Sequence, residues 1–211
     1  MIIWNLEFIC LFSICIFAYF VRIAILGGSF DPPHLGHLLV AQQTLDFAKI
    51  DEVWLMPCFF HPFDKKITSG QKRLEMCQSA IEEFNNRKIR VSDFEIRLKK
   101  KSYTIETILI LKKTFKSDHF FWLIGSDNLS SFKKWKDWQK LLTETKFLVF
   151  PRIDYPLTKI PQGFTLIKSK RLISSNLSSE AVRMRVKNGL SIKGLVTTVV
   201  EEYISRNRLY K

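Results

Sequence analysis

Two histidines three residues apart, His34 and His37, sit in a stretch whose residue types suit phosphate chemistry. At helical spacing their imidazoles share one face and can donate to a single phosphate group. They follow an apolar run, residues 23–26, that breaks at Gly27 and Gly28 and turns through Ser29-Phe30-Asp31-Pro32-Pro33. That order predicts a strand, a glycine-containing turn and then a helix over residues 34–49. Unpaired backbone N–H groups and the positive end of the helix dipole meet at such a junction, which makes it an anion site. Gly36, between the histidines, carries no side chain, so a flat or bulky ligand is expected to approach the backbone there. Neither GxxxxGK[ST] nor GxGxxG occurs in the chain, so this phosphate site lacks a P-loop. For an HxxH pair taken alone, a structural turn with packed histidines or half of a zinc site are the competing readings.

Further apolar runs supply the frame that would position these groups. Residues 52–56 and 120–124 read as buried strands and 89–91, 147–150 and 164–167 as further strands, with helical periodicity over 71–84. The run 120–124 ends in Gly125-Ser126-Asp127, and ligands of open α/β sheets sit beyond the carboxyl ends of strands, which places Asp127 where chemistry is expected. Eight residues later stands Trp135, an aromatic face for a flat ring or else a core side chain, as Trp138 is expected to be. Ser102-Tyr103-Thr104 reads as a helix start, with Ser102 or Thr104 as its cap, and Ser178-Ser179 opens another helix carrying Arg183. The loop after residue 57 holds Cys58 and His61 at ligand-like spacing with no second pair, and is read as loop rather than metal site.

The string Gly27-Gly28-Ser29-Phe30-Asp31-Pro32-Pro33-His34-Leu35-Gly36-His37 resembles the signature of the HxGH nucleotidyltransferases. Among these it is most similar to the bacterial nicotinate-nucleotide adenylyltransferases, and the likeness extends over residues 22–211. The resemblance implies a Rossmann-like α/β nucleotidyltransferase fold with a mostly parallel sheet flanked by helices. It implies an enzyme that transfers AMP from ATP to nicotinate mononucleotide, giving nicotinate adenine dinucleotide and pyrophosphate in NAD biosynthesis, with Mg2+ accompanying the ATP. It puts His34, His37, Lys65 and Arg183 at the phosphates, with Lys66 the alternative to Lys65. It also puts Gly27, Gly28, Ser29, Phe30, Thr104, Asp127, Trp135, Ser178 and Ser179 against the nucleotides, Trp135 on the nicotinate ring. Glu180 stands where the resembled motif has Thr and is left out of the site, and no resident metal ligand is expected. Other HxGH substrates, nicotinamide mononucleotide or pantetheine phosphate, remain open, as does a non-catalytic membrane-tethered nucleotide-binding module.

The chain of 211 residues has room for one domain with a full core, and carries a formal charge of +13. Its lysines are spread rather than blocked, which reads as the solvated basic face of a polyphosphate-binding protein, and no nucleic-acid partner is expected. Four cysteines without a CxxC pair suit a reducing cytoplasm. Residues 1–20 form an apolar extension, borderline in length against the about 20 residues of a membrane span. They lack the charged start and small-residue end of a secretory signal. Three readings stand: translation upstream of a true start at Val21, an anchor, or a plain extension. The first is preferred, because a spanning helix ending at Phe20 would pull a central strand toward the bilayer. The adenylyltransferase domain is then residues 21–211, and a homo-oligomer is compatible with it.

Overall fold

Strands that are apolar at consecutive positions belong in a parallel sheet covered on both faces, and these strands form one. The computed structural model describes residues 20–60 and 67–211. The readings of residues 1–19 and of His61, Lys65 and Lys66 therefore lie outside the described residues. In chain order the elements are β1 (Arg22–Gly28), α1 (Leu35–Phe47), β2 (Glu52–Pro57), α2 (Gly70–Phe84) and β3 (Ile89–Val91). Then come α3 (Phe94–Leu98), α4 (Thr104–Thr114), β4 (His119–Gly125), a 3-10 helix (Ser126–Lys134) and α5 (Trp138–Glu144). β5 (Lys146–Phe150), β6 (Phe164–Leu166), α6 (Ser179–Lys187) and α7 (Thr198–Arg206) complete the chain. All six strands lie in one sheet of order β3-β2-β1-β4-β5-β6, and every pairing is parallel. This is the Rossmann-like architecture that the resemblance implies.

Alternation along each strand divides the core into two layers. Ile23 and Ile25 of β1, Phe120, Trp122 and Ile124 of β4, and Phe147 and Val149 of β5 face α4 and α5. Ala24, Leu123, Leu148 and Phe150 from the same strands face the other way, onto Leu38 and Ala41 of α1 and Cys77 of α2. A third cluster joins Val182 of α6 and Val200 and Ile204 of α7 to Met76 and Ala80 of α2. Each buried Val, Leu, Ile, Phe or Met among them stabilises by about 1.5–3 kcal/mol relative to exposure, so the sheet is held from both faces.

Strand order reverses between β1 and β4, the two central strands, and that switch point is where open α/β sheets bind ligands. The register Leu26↔Leu123 carries both strands outward together, so Gly27 and Gly28 end beside Gly125. Among the described residues no helix is long and apolar enough to cross a membrane.

Candidate functional site

A cavity of about 330 Å³ opens at this switch point. It is lined by Gly27, Gly28 and Ser29 from the end of β1, His34 and His37 from the start of α1, and Asp127 after β4. Thr104 at the start of α4 and Trp135 after the 3-10 helix close its other side. Residues remote in sequence thus meet at one crevice because parallel strands end on the same edge.

The histidine turn is built by backbone constraint. Phe30, buried and in the left-handed region at φ 49°, turns the chain from β1 back toward α1 and packs 4.7 Å from the His37 ring. His34 caps α1, and its backbone N–H donates to His37 Nδ1 at 3.2 Å. An acceptor Nδ1 leaves the proton of neutral His37 on Nε2. The two rings stack at 3.7 Å between centroids, 25° from parallel. Burial, with the Arg152 guanidinium second, lowers the His34 pKa to about 3. Burial, His34 and Arg152 hold the His37 value well below its ordinary range. Both imidazoles are therefore uncharged near neutral pH, and each offers one N–H rather than a positive charge.

The structure adds a packing reason for Gly36. The space a Cβ would take there is filled by the His34 ring, whose Nδ1 would lie 2.9 Å from it, with Leu177 behind. Gly36 makes room for its neighbouring histidine, and its backbone also lines the cavity. Gly27 has a similar use, since a Cβ there would meet the Trp122 indole at 2.7 Å. The expected cap of α4 differs. Tyr103 is the N-cap and no side chain caps the helix, so the first turn faces the cavity without a competing hydroxyl. Ser102 is instead buried beside Glu95, close enough to draw its pKa down somewhat but without hydrogen-bonding geometry. The Thr107 hydroxyl donates to Glu95 Oε1 at 2.6 Å, and burial pushes the Glu95 carboxyl upward overall.

Other predicted residues sit just behind the cavity. Ser178 caps α6 by accepting from Ala181 N–H at 3.1 Å, and the Ser179 hydroxyl donates to the Pro32 carbonyl at 2.8 Å. Arg183 donates through Nη1 to the Asp31 carbonyl at 2.7 Å, and so supports the histidine turn from outside. Glu180 is exposed. Trp135 packs on Phe132 at 5.4 Å while also lining the cavity, and Trp138 packs against the same core cluster.

Sequence reasoning passed over four residues here: Trp122, Glu95, Arg152 and Arg73. The first three line the cavity. Arg73, fully buried on α2, donates to the carbonyls of Ser29, Cys58, Phe59 and Thr68, and ties the turn after β1 to both flanks of residues 61–66. For Arg152 a signal existed: it follows β5 as Asp127 follows β4. Arg73 had none, since a buried arginine satisfied only by carbonyls looks like any helix-surface arginine.

Among the described residues four buried side-chain polar atoms have no hydrogen-bond partner, and three of them, His34 Nδ1, Ser102 Oγ and Asp127 Oδ1, belong to residues lining this cavity. Unpaired buried polar atoms are costly, so their gathering in one crevice marks a place where a polar ligand completes them. Among the described residues no group of three His, Cys, Asp or Glu side chains is placed to hold a metal ion. Asp127, a carboxylate of the lining whose Oδ1 has no hydrogen-bond partner, would suit a cation that brings most of its ligands with it.

The whole chain, too, resembles known proteins. Residues 25–185 match the cytidylyltransferase-like family. A probable nicotinate-nucleotide adenylyltransferase of Shouchella clausii is 37% identical over 191 residues, covering 90% of this chain and 96% of the relative. Its counterpart in Methylacidiphilum infernorum is 38% identical over 192 residues, covering 90% and 92%. Among solved structures, Plasmodium falciparum nicotinic acid mononucleotide adenylyltransferase complexed with NaAD superposes with a TM-score of 0.77 at 25% identity, covering 90% of this chain and 97% of that one.

Proposed function

Because the chain belongs to the cytidylyltransferase-like family and, within it, to the nicotinate-nucleotide adenylyltransferases, we propose a division of labour for the reaction of that family. The enzyme transfers AMP from ATP to nicotinate mononucleotide, forming nicotinate adenine dinucleotide and pyrophosphate for NAD biosynthesis. An oxygen of the mononucleotide 5′-phosphate attacks the α-phosphorus in line, the bond to the β-phosphate oxygen breaks, and pyrophosphate leaves. No covalent enzyme intermediate is needed, so catalysis reduces to positioning and charge stabilisation.

The observation that carries this reading is the convergence of unpaired His34, Ser102 and Asp127 atoms on the crevice between β1 and β4. In the proposal the α-phosphate lies against the N-terminus of α1, where Nε2–H of His37 and the His34 ring donate to its oxygens. Gly27, Gly28, Ser29 and Phe30 shape the backbone beneath it. Asp127 holds the nucleotide sugar. The start of α4 at Thr104 receives the nicotinate carboxylate through backbone N–H groups, and Trp135 stacks on the pyridine ring. Ser178, Ser179 and Arg183 serve the leaving pyrophosphate, together with Lys65. Mg2+ accompanying ATP would be held chiefly by phosphate oxygens and water, and would supply charge compensation for the triphosphate. Residues 21–211 form the catalytic domain, acting in the cytoplasm.

Pyrophosphate release from ATP and Mg2+ tests the reading, with nicotinate mononucleotide, nicotinamide mononucleotide and pantetheine phosphate supplied separately. Release is expected with the nicotinate substrate alone. Equal or faster release with either alternative would overturn the assignment of substrate. In the same assay His37→Ala is expected to lower kcat by about 10²–10³ with little change in KM, the loss of one transition-state donor. Unchanged turnover would remove His37 from the chemistry.

A further inference from the structure

Neutral histidines leave a question of charge. A triphosphate entering the crevice needs fixed cations, and neither imidazole supplies one. Among the described residues three cationic side chains line the cavity: Lys134, Lys136 and Arg152. Lys136 is committed to Glu106 at 2.6 Å and lies over the Tyr103 ring at 4.5 Å, on the nicotinate side of the site. Lys134 is exposed at the rim. Arg183 lies outside the lining, with its guanidinium on the Asp31 carbonyl.

Arg152 is placed differently. It follows β5, and its backbone is pinned where its N–H donates to Ser126 Oγ at 2.9 Å. The Ser126 hydroxyl in turn donates to the Tyr155 carbonyl at 2.8 Å. The side chain runs back across Gly125, where a Cβ would lie 3.0 Å from Arg152 Cδ. A side chain at position 125 would press on the guanidinium's path to the switch point. Once there it is lightly held: Nη2 donates to the Leu177 carbonyl at 3.4 Å, and Nε stands 3.9 Å from Asp127 Oδ1, beyond hydrogen-bonding distance. A guanidinium has five N–H donors in a fork that matches phosphate oxygens two at a time. Most of that fork is uncommitted, and the residue lines the cavity that holds the unpaired His34 and Asp127 atoms. The field of Arg152 is felt at both histidines, where it helps keep the imidazoles uncharged. It is therefore close enough to act on whatever they touch.

We infer that Arg152 is a phosphate-binding catalytic residue of this enzyme, its fork closing on the ATP phosphates beside the two histidines and providing the permanent positive charge that they do not. The long approach to Asp127 then has a use. A close bidentate Arg–Asp pair would neutralise both groups, whereas this spacing leaves Asp127 for the sugar and Arg152 for the phosphates. The inference rests on the adenylyl-transfer reading for the identity of the anion, but not for the placement of the charge.

The test uses the full chain carrying Arg152→Gln or Arg152→Lys, with two readouts. Steady-state turnover with ATP varied at saturating nicotinate mononucleotide should show kcat/KM for ATP lowered about 10²–10³-fold in Arg152→Gln, with KM for the mononucleotide nearly unchanged. Arg152→Lys should recover part of that loss, since it keeps the charge and loses the fork. Titration calorimetry with inorganic pyrophosphate and Mg2+, which needs no turnover, should show affinity at least tenfold weaker in Arg152→Gln with the thermal midpoint unchanged. Wild-type kinetics and pyrophosphate affinity retained in Arg152→Gln would overturn the inference. An inactive wild type whose pyrophosphate binding still depends on Arg152 would sink the proposed reaction and leave the phosphate site standing.

Discussion

His34 and His37 are the pair whose chemistry depends most on their surroundings. Stacked, buried and faced by Arg152, neither can hold a proton at neutral pH without an uncompensated positive charge in the cavity. This has a consequence for stability with a definite sign. Their folded pKa values lie below the unfolded value of about 6.5, so below that pH the unfolded chain binds protons that the folded chain refuses. The stabilisation is fully present above about pH 6.5 and is lost as the pH falls toward the folded value, about 3 for His34. The expected slope is about 1.4 kcal/mol per pH unit for each histidine within that window. Urea unfolding at pH 7.0 and 5.5 measures it, and His34→Gln should flatten the dependence by one proton. An unchanged slope in His34→Gln would mean that this imidazole titrates normally. The same neutrality assigns the histidines to donation and leaves charge compensation to arginine.

At the scale of elements, the site is a product of strand ends. Gly125 terminates β4 with φ −75°, a conformation open to any residue, so a substitution there acts through contacts rather than through backbone strain. A Cβ at Gly125 would coincide with the Asp127 carboxylate and press on Arg152 Cδ at 3.0 Å. Both are ends of side chains that can swing aside. Gly125→Ala is therefore expected to cost about 1 kcal/mol or less in stability but about 10²-fold in kcat/KM, because Asp127 and Arg152 leave their places. Calorimetry beside steady-state kinetics separates the two, and a fully active Gly125→Ala would show that neither side chain needs its observed position. Much of this was legible in the chain. The buried strands announce themselves as unbroken apolar runs, and the glycine turn and Asp127 sit at their ends, where chemistry gathers. What was not legible depends on neighbours that only folding provides. Gly36 and Gly27 owe their lack of a side chain to the His34 and Trp122 rings, which no local pattern reveals. α3, at five residues, is too short to show a period, and Tyr103 became the cap of α4 because Ser102 was drawn inward beside Glu95.

Across the whole molecule, the last third of the chain grips the histidine turn from outside. The Leu35 N–H donates to the Leu195 carbonyl at 2.9 Å, Ser179 and Arg183 reach the carbonyls of Pro32 and Asp31, and the Tyr210 hydroxyl donates to Asp31 Oδ1 at 2.7 Å. The other Asp31 oxygen accepts from the Thr68 N–H at 3.2 Å, beyond residues 61–66. The buried Asp31 side chain thus ties the histidine turn to two distant parts of the chain, Thr68 and Tyr210. Burial and the Asp31 carboxylate both push the Tyr210 pKa upward, so its phenol stays protonated and keeps donating. Tyr210→Phe removes that donor and leaves a buried carboxylate oxygen unpaired, at a cost of about 1–3 kcal/mol. In a chain of this length each kcal/mol lowers the thermal midpoint by about 2–4 °C. If the tail only adds stability, kcat below the transition will match wild type. If it also sets the histidine turn, kcat will fall at temperatures where the variant is fully folded. We expect the second outcome, because Asp31 stands three residues before His34 with no flexible spacer between them: Pro32 and Pro33 carry any displacement of Asp31 straight to the imidazole.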